Sequence, residues 1–170
     1  SIQPLERSQR GQLLRVRGLS GVANLDLDIA RRQKLQALRR LEPVCRDSKI
    51  EILDLPSPVK GTFILIWAEF ANGQAACGAL GAPGKRAERV ADEAADELLS
   101  CLDSGAAMDA HLADQLLLPL ALAQGESVLS TARVTSHLLT NAQIIRMFLP
   151  ARIEIEGELG QPGMVWIAPG

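Results

Sequence analysis

Residues 62–70 (TFILIWAEF) constrain the fold of this chain more than any other segment. The segment is apolar almost throughout, which is typical of a strand near the centre of a sheet. Asn72-Gly73 follows it, and this dipeptide is preferred in two-residue hairpin turns. Residues 75–80 are therefore predicted to return as an antiparallel partner, so the chain is expected to contain a sheet built around this hairpin.

The other helices and strands are predicted from apolar periodicity and from residues that start or stop helices. One helix is expected to begin at a capping residue within 24–28 and to run to about residue 41. Three more are expected at about 86–102, 109–123 and 137–149. Gly18 and Gly21 are expected to end the first strand, and Thr135 or Ser136 to cap the last helix. Further strands are predicted at 13–19, 50–55, 127–134, 153–158 and 164–168.

The order of these elements indicates the fold class. It reads β-α-β-β-β-α and then α-β-α-β-β, with a candidate boundary at Ser104-Gly105. Helices and antiparallel hairpins in two groups predict an α+β protein rather than a doubly wound sheet. A length of 170 residues fits one domain or two small ones.

Charge and aromatic content exclude some kinds of nucleic-acid binding. Eighteen Lys and Arg against 20 Asp and Glu give a net charge of −2, which excludes a strongly basic nucleic-acid coat. RNA remains possible as a substrate, because a local patch can act within a neutral chain. With three Phe, two Trp and no Tyr, a base-stacking platform is not expected.

Cysteine spacing and hydropathy bear on metal sites and location. Three widely spaced cysteines without a Cys/His cluster predict that the chain has no structural zinc site. An odd number of cysteines and no signal peptide predict reduced thiols and a cytoplasmic location. The most apolar run, residues 116–123, is far short of the ~20 residues that span a bilayer.

Two basic segments suggest phosphate or RNA binding only at first sight. Arginines at 31, 32, 39 and 40 are interpreted as a solvated helix face rather than an RNA-binding stripe. Residues 81–86 (GAPGKR) resemble a phosphate loop. The first glycine of that motif is replaced by Ala79, and no Ser or Thr follows Lys85. A plain strand-to-helix connection is predicted there.

The helix at 109–123 carries an unusual polar face. Leucines and alanines surround it on nearly all sides, which predicts a buried helix. His111, Asp114 and Gln115 nevertheless share one face at spacings i, i+3 and i+4. Burying three polar side chains without partners costs several kcal/mol. The face is therefore either the end of the helix that meets solvent or a polar notch that opens into a site.

His137 is the second candidate for chemistry. It falls in the first turn of its helix, where unpaired N–H groups and the helix dipole favour an anion. The dipole also disfavours the imidazolium form, so a neutral ring could attack a phosphorus atom. A surface or capping role is the alternative for a lone histidine in this position.

Several segments together resemble the RNA 3′-terminal phosphate cyclase family. They are PSPVKGTFILIWAEF, CGALGAPGKRAERVADEAADELL, HLADQLLLPLALA, TSHLLTN and FLPARIEIEGELGQPG. The resemblance covers nearly all of the chain and corresponds to the second half of a full cyclase. It implies an end of a preceding repeat at 1–12, an inserted thioredoxin-like α/β domain at 13–105, and a last β-α-β-α-β-β repeat at 106–170.

The resemblance also implies a reaction and its residues. Family members use ATP and Mg²⁺ or Mn²⁺ to convert an RNA 3′-phosphate into a 2′,3′-cyclic phosphate through a histidine–AMP intermediate. His137 matches the nucleophile, Asp114 an active-site carboxylate, and His111 a contact to the adenylate. Other nucleotide-binding candidates in these motifs are Gln115, Ser136, Thr140 and Asn141. The metal ligands cannot be assigned from the sequence.

The chain departs from the family pattern in one respect. The family's N-terminal half supplies a carboxylate and several arginines, and none of that half is found here. Residues 106–170 contain only Arg133, Arg146 and Arg152 as cations. We therefore expect the chain to need the missing half as a partner, beside RNA 3′-phosphate ends, and an oligomer is possible. A non-catalytic cyclase-like protein of ribosome assembly and an inactive cyclase fragment are the alternatives.

Overall fold

The computed structural model describes residues 1–170 and confirms the predicted α+β class. Four helices and two four-stranded mixed sheets make up the chain. The helices are α1 (Leu27–Leu41), α2 (Ala87–Ser104), α3 (Ala110–Ala121) and α4 (Ser136–Phe148). The strands are β1 (Glu6–Arg7), β2 (Leu13–Ala23), β3 (Ser48–Leu55), β4 (Gly61–Phe70), β5 (Gly73–Leu80), β6 (Ser127–Thr131), β7 (Arg152–Glu156) and β8 (Gly163–Ala168).

The chain divides into two compact units. One unit, here called the split unit, contains residues 1–12 and 101–170, and the other, here called the inserted unit, contains residues 13–100. None of the four helices combines the length and apolar character needed to cross a bilayer.

The inserted unit is built on the predicted hairpin. Its sheet has the strand order β3-β2-β4-β5, with β2 and β3 parallel and the other pairs antiparallel. The hairpin register places Phe70 opposite Gly73 and Phe63 opposite Leu80. Alternate residues of β4, such as Ile64 and Ile66, are buried. The thioredoxin-like layout of this unit stays a prediction.

The first strand of the inserted unit is longer than predicted. Gly18 and Gly21 lie inside β2, which runs on to Ala23, so the prediction that they end the strand is wrong. A Cβ atom on Gly21 would lie 2.3 Å from the ring of Phe63, its partner on β4. These glycines are explained by close approach of neighbouring side chains and not by a turn.

The α1 arginines lie on a solvated face, as interpreted, and two of them are paired there: the side chains of Arg32 and Arg40 are 43% and 39% exposed, respectively. Arg32 donates two hydrogen bonds of 2.8 Å to the carboxylate of Glu88 on α2. Arg40 forms ion pairs with Asp92 and Asp96, also on α2. The hydrogen bonds from Arg32 are the main reason that the pKa of Glu88 falls to about 2. These pairs join α1 to α2.

The split unit has the strand order β1-β6-β8-β7. The sequence did not predict β1, which pairs in parallel with β6, while β8 runs antiparallel to both β6 and β7. The predicted strand at 127–134 ends at Thr131, and Val134 forms an isolated bridge to Leu159. Buried aliphatic residues from both helices and three strands form one core, including Leu117, Leu129, Leu138, Val165 and Ile167.

Helix α3 is buried on one side only, which corrects the prediction of a helix buried all round. Its buried residues are Ala110, Ala113, Leu117, Leu120 and Ala121. Leu118 and Leu122 are 53% and 54% exposed, respectively. His111 and Gln115 lie on this exposed side, so they incur no burial penalty.

Candidate functional site

Helices α3 and α4 begin at the same edge of the sheet. Met108 pairs with Thr131, the last residue of β6, and α3 begins two residues after Met108. The backbone N–H of Met108 donates to the Ser130 carbonyl at 3.1 Å, and that of Ala132 donates to the Met108 carbonyl at 2.9 Å. Helix α4 begins at Ser136, shortly after the end of β6. Both helix N-termini therefore lie at the carboxyl end of β6.

Side-chain caps fix both helix starts. The Asp109 carboxylate accepts hydrogen bonds of 2.9 Å from the backbone N–H groups of His111 and Leu112. The Thr135 hydroxyl accepts one of 3.0 Å from Leu138, which confirms Thr135 as one of the two candidate caps. The backbone N–H groups of Ser136 and His137 have no acceptor within the helix, as is general for a first turn. They are positioned to hold an anion.

Asp114 and Asn141 are joined directly. The side-chain amide of Asn141 donates a hydrogen bond of 2.7 Å to an Asp114 carboxylate oxygen, and both residues are partly buried. The sequence placed them in separate motifs, and the structure brings them together between α3 and α4. The charge-assisted bond fixes the carboxylate in one orientation.

The two histidines lie near this bond by helix geometry. His137 precedes Asn141 by four residues and His111 precedes Asp114 by three, which is roughly 6 Å and 4.5 Å along each helix axis. A spacing of three or four residues puts each histidine on the same side of its helix as the bonded residue. Each histidine thus lies about one turn closer to the N-terminal end of its helix than the bonded residue of that helix does.

The site is an open surface. Five predicted residues are exposed, namely His111, Gln115, Ser136, His137 and Thr140, and only Asp114 and Asn141 are partly buried. Of the three polar residues on α3 for which a notch was one of two alternatives, only Asp114 is partly buried. The alternative of a polar helix end in solvent fits His111 and Gln115.

Two residues near the site do not stand out in the sequence as site residues. The Asp109 carboxylate accepts hydrogen bonds from two backbone N–H groups at the start of α3. Arg133 lies in the short loop between β6 and α4. Its backbone N–H donates to the Thr131 hydroxyl at 3.4 Å. An Asp immediately before a helix is a readable capping signal, whereas nothing local identifies Arg133.

The chain does not present a complete set of metal ligands. No group of three or more His, Cys, Asp and Glu side chains is placed to hold an ion. Asp114 is the only carboxylate among the predicted site residues, and its hydrogen-bond partner is an amide.

Comparison with known proteins identifies the family. Residues 8–103 match the family model described as RNA 3′-terminal phosphate cyclase (RTC), insert domain. The RNA 3′-terminal phosphate cyclase of Methanopyrus kandleri is 39% identical over 99% of this chain and 50% of its own length. That of Thermococcus onnurineus is 43% identical over 87% of this chain and 43% of its own length. The chain belongs to the RNA 3′-terminal phosphate cyclase family, and it spans about half the length of the curated relatives it matches.

Proposed function

We propose that this chain carries the nucleophile of an enzyme that converts RNA 3′-phosphate ends into 2′,3′-cyclic phosphates with ATP. The names of the relatives support the cyclase activity. The observation that carries the proposal is the position of His137. This side chain is exposed in the first turn of α4, one turn before the bond between Asn141 and Asp114.

The proposed reaction has three steps. A neutral ring nitrogen of His137 attacks the α-phosphorus of ATP, so a P–N bond forms and the P–O bond to pyrophosphate breaks. The adenylyl group then passes to an oxygen of the RNA 3′-phosphate, which frees the histidine. The 2′-hydroxyl of the terminal ribose attacks that phosphate, loses its proton and displaces AMP.

The residues around His137 have distinct roles in this proposal. The N–H groups of Ser136 and His137 hold phosphate oxygens, because the N-terminus of α4 favours negative charge. Asp114, held by Asn141, orients groups at the site or balances positive charge on the histidine ring. The exposed side chains of His111, Gln115 and Thr140 contact the nucleotide. Mg²⁺ or Mn²⁺ is the proposed metal, and when bound it would offset negative charge on the triphosphate.

The phosphate contacts are incomplete within the split unit. A triphosphate needs several charge-assisted hydrogen bonds, and only Arg133 adjoins the first turn of α4 among the three arginines of residues 106–170. We therefore propose that the N-terminal half of the cyclase supplies the remaining cations. The three cysteines are not disulfide-bonded, which suits the reducing cytoplasm that we propose as its location.

Labelling of the complete protein tests the proposal. Incubation with ATP labelled at the α-phosphorus and a divalent metal should give an acid-labile phosphoramidate on the protein. His137→Ala should abolish the label, whereas His111→Ala, which removes a proposed nucleotide contact but not the nucleophile, should weaken labelling without abolishing it.

Two results would contradict the proposal. Undiminished labelling of His137→Ala would remove His137 from the mechanism and make His111 the next candidate. A folded complete protein that takes no label and cyclises no RNA would instead favour a non-catalytic, ribosome-assembly type of function.

A further inference from the structure

A separate cavity lies within the inserted unit. Its volume is about 550 Å³, which is within the range of roughly 300–1,000 Å³ that is usual for small-molecule sites. It lies where β4 begins, where β5 is followed by the GAPGKR loop, and where α2 begins. No acidic residue lines it, and four cations do: Arg32, Lys60, Lys85 and Arg86.

Two of these cations are neutralised by carboxylates outside the cavity wall. Arg32 holds Glu88 through two hydrogen bonds of 2.8 Å. Lys85 is paired with Glu93 and also donates to the Leu80 carbonyl at 3.0 Å. These contacts hold the loop against α2 and leave little charge for a ligand.

The other two cations remain available to an anion. Arg86 is 80% exposed, and its nearest ion-pair distance, to Glu88, is 3.7 Å, beyond the usual hydrogen-bond length. Glu88 is already held by Arg32. Lys60 is exposed and immediately precedes β4. The cavity therefore has an excess of positive charge on these two side chains.

The floor of the cavity is fixed by a buried hydrogen-bond network. The Thr62 hydroxyl donates to the Gly21 carbonyl at 2.8 Å and accepts from the Gln33 side-chain amide at 3.0 Å. Gln33 is completely buried. The Gly81 N–H donates to the Thr62 carbonyl at 2.8 Å, which ties the loop to β4. The cavity is therefore preformed, which reduces the ordering cost of binding.

The remaining wall is mostly apolar. Leu25, Ile29 and Pro83 contribute to it together with alanine and glycine residues. A ligand that satisfies this wall and the two available cations has a flat or apolar body and at least one negative group. A nucleoside phosphate has both, and an inorganic anion has only the second.

We propose that this cavity binds one nucleotide unit of the RNA strand. The phosphate contacts Lys60 and Arg86, and the base or sugar packs on Leu25, Ile29 and Pro83. This mode differs from a Walker loop, whose motif is broken at Ala79, because side-chain cations replace the loop amides as phosphate ligands. The choice of RNA as the source of the nucleotide rests on the proposed function, whereas the preference for a nucleoside phosphate rests on the cavity alone.

Binding of a fluorescent, 3′-phosphorylated RNA 12-mer to the complete protein, without ATP, tests the proposal. The double variant Lys60→Gln/Arg86→Gln should bind about tenfold more weakly. Its slope of log K against log salt should fall in magnitude by about 0.7, because the cavity holds one phosphate and each neutralised single-strand phosphate contributes about 0.7. The matched control Arg39→Gln/Arg46→Gln removes the same charge from exposed residues outside the cavity and should change neither quantity.

A second variant tests the cavity without changing charge. A Cβ on Gly61 would meet no atom within 4 Å, so Gly61→Phe adds bulk at the wall without a clash at its base. It should weaken RNA binding although no charge is removed from the protein. Equal RNA affinity in the wild type, the double variant and Gly61→Phe would overturn the proposal.

Two further measurements separate the sources of failure. Titration of the 170-residue chain with AMP, followed by NMR, shows whether a free nucleotide occupies the cavity as well. If AMP shifts the NMR signals of the wild type but not those of Lys60→Gln/Arg86→Gln, the cavity also binds free nucleotide. If AMP causes no shifts while the double variant binds RNA more weakly, the cavity binds a nucleotide only as part of an RNA strand. Labelling at His137 is measured in the same variants, so normal labelling with unchanged RNA binding would reject this inference and leave the proposed function intact.

Discussion

Asn141 on α4 donates a 2.7 Å hydrogen bond to Asp114 on α3. The bond crosses between two helices that begin at the same end of β6. It therefore sets the relative register of the turns that carry His111 and His137. A change at either bonded residue should affect the chemistry more than the stability of the fold.

Asp114→Asn tests whether the charge at this bond matters. The variant keeps the size of the side chain and can still accept a hydrogen bond from Asn141, but it loses the negative charge. We expect cyclisation by the complete protein to fall by at least about a hundredfold, which corresponds to about 2.7 kcal/mol, with little change in Tm. Asp103→Asn, at an exposed position on α2, is the control.

The opposite pattern would show that Asp114 is structural. In that case Asp114→Asn would lower Tm clearly, and activity per folded molecule would stay at the wild-type level. Both quantities can be measured on the same preparation by thermal unfolding and by cyclisation of a 3′-phosphorylated oligonucleotide.

Gly81→Ala should destabilise the inserted unit. A Cβ at position 81 would lie 2.2 Å from the Thr62 methyl carbon, and relieving such a clash costs about 1–3 kcal/mol. Thr62→Ser removes that methyl and keeps the hydroxyl, so the double variant should recover most of the loss. Gly61→Ala, where the added atom meets open space, should be close to neutral in urea unfolding.

The ion pair between Arg32 and Glu88 predicts a defined pH dependence. The hydrogen bonds from Arg32 lower the pKa of Glu88 to about 2 from an ordinary value of 4.5. The stabilisation is therefore fully present above about pH 4.5 and is lost as the pH falls toward 2. It should be modest, since solvent and salt screen a pair at the surface.

Urea unfolding of the wild type and Glu88→Gln between pH 6 and pH 2 measures this effect. The difference in unfolding free energy between the two should shrink steadily below pH 4.5 and should also be smaller in 1 M salt. A difference that is constant over this range would mean that the pair does not form. Glu51→Gln, at an exposed position on β3, is the control.

Self-association should depend on the exposed end of α4. Met147 and Phe148 are 78% and 81% exposed, respectively, and adjacent apolar side chains of this kind favour association. We expect the 170-residue chain to self-associate at rising concentration, to bind ATP weakly and to leave RNA 3′-phosphates unchanged. Light scattering should show less association for Phe148→Lys than for Gln143→Lys, an equal charge change on the same helix.

The sequence predicted those features that have local signals. The hairpin of β4 and β5 follows from a continuous apolar run and an Asn-Gly turn, and the cap at Thr135 follows from the residue type at a helix start. In the site, the histidine spacings on α3 and α4 are local as well. These features need only a few neighbouring residues.

Features that depend on distant residues were missed. Strand β1 has two residues, too few for any periodicity, and exists because β6 pairs with it. Glu88, the partner of Arg32, and Asp96, one partner of Arg40, each lie 56 positions away on α2. Because α3 carries leucines on all sides, its sequence does not indicate that Leu118 and Leu122 are exposed. Which side of the helix is buried depends on the position of the sheet. The bond between Asn141 and Asp114 likewise joins residues 27 positions apart.

Arg10 lies just before the inserted unit and reaches the segment just after it. Its guanidinium donates hydrogen bonds of 3.1 Å and 2.6 Å to the carbonyls of Cys101 and Leu102, 91 and 92 positions along the chain. The backbone N–H of Leu5 similarly donates a hydrogen bond to the Ser127 hydroxyl, 122 positions away. Closing so long a loop is entropically costly and slows folding. If the inserted unit folds first, it shortens the effective loop between β1 and β6. The order of folding during synthesis should therefore determine how quickly β1 pairs with β6.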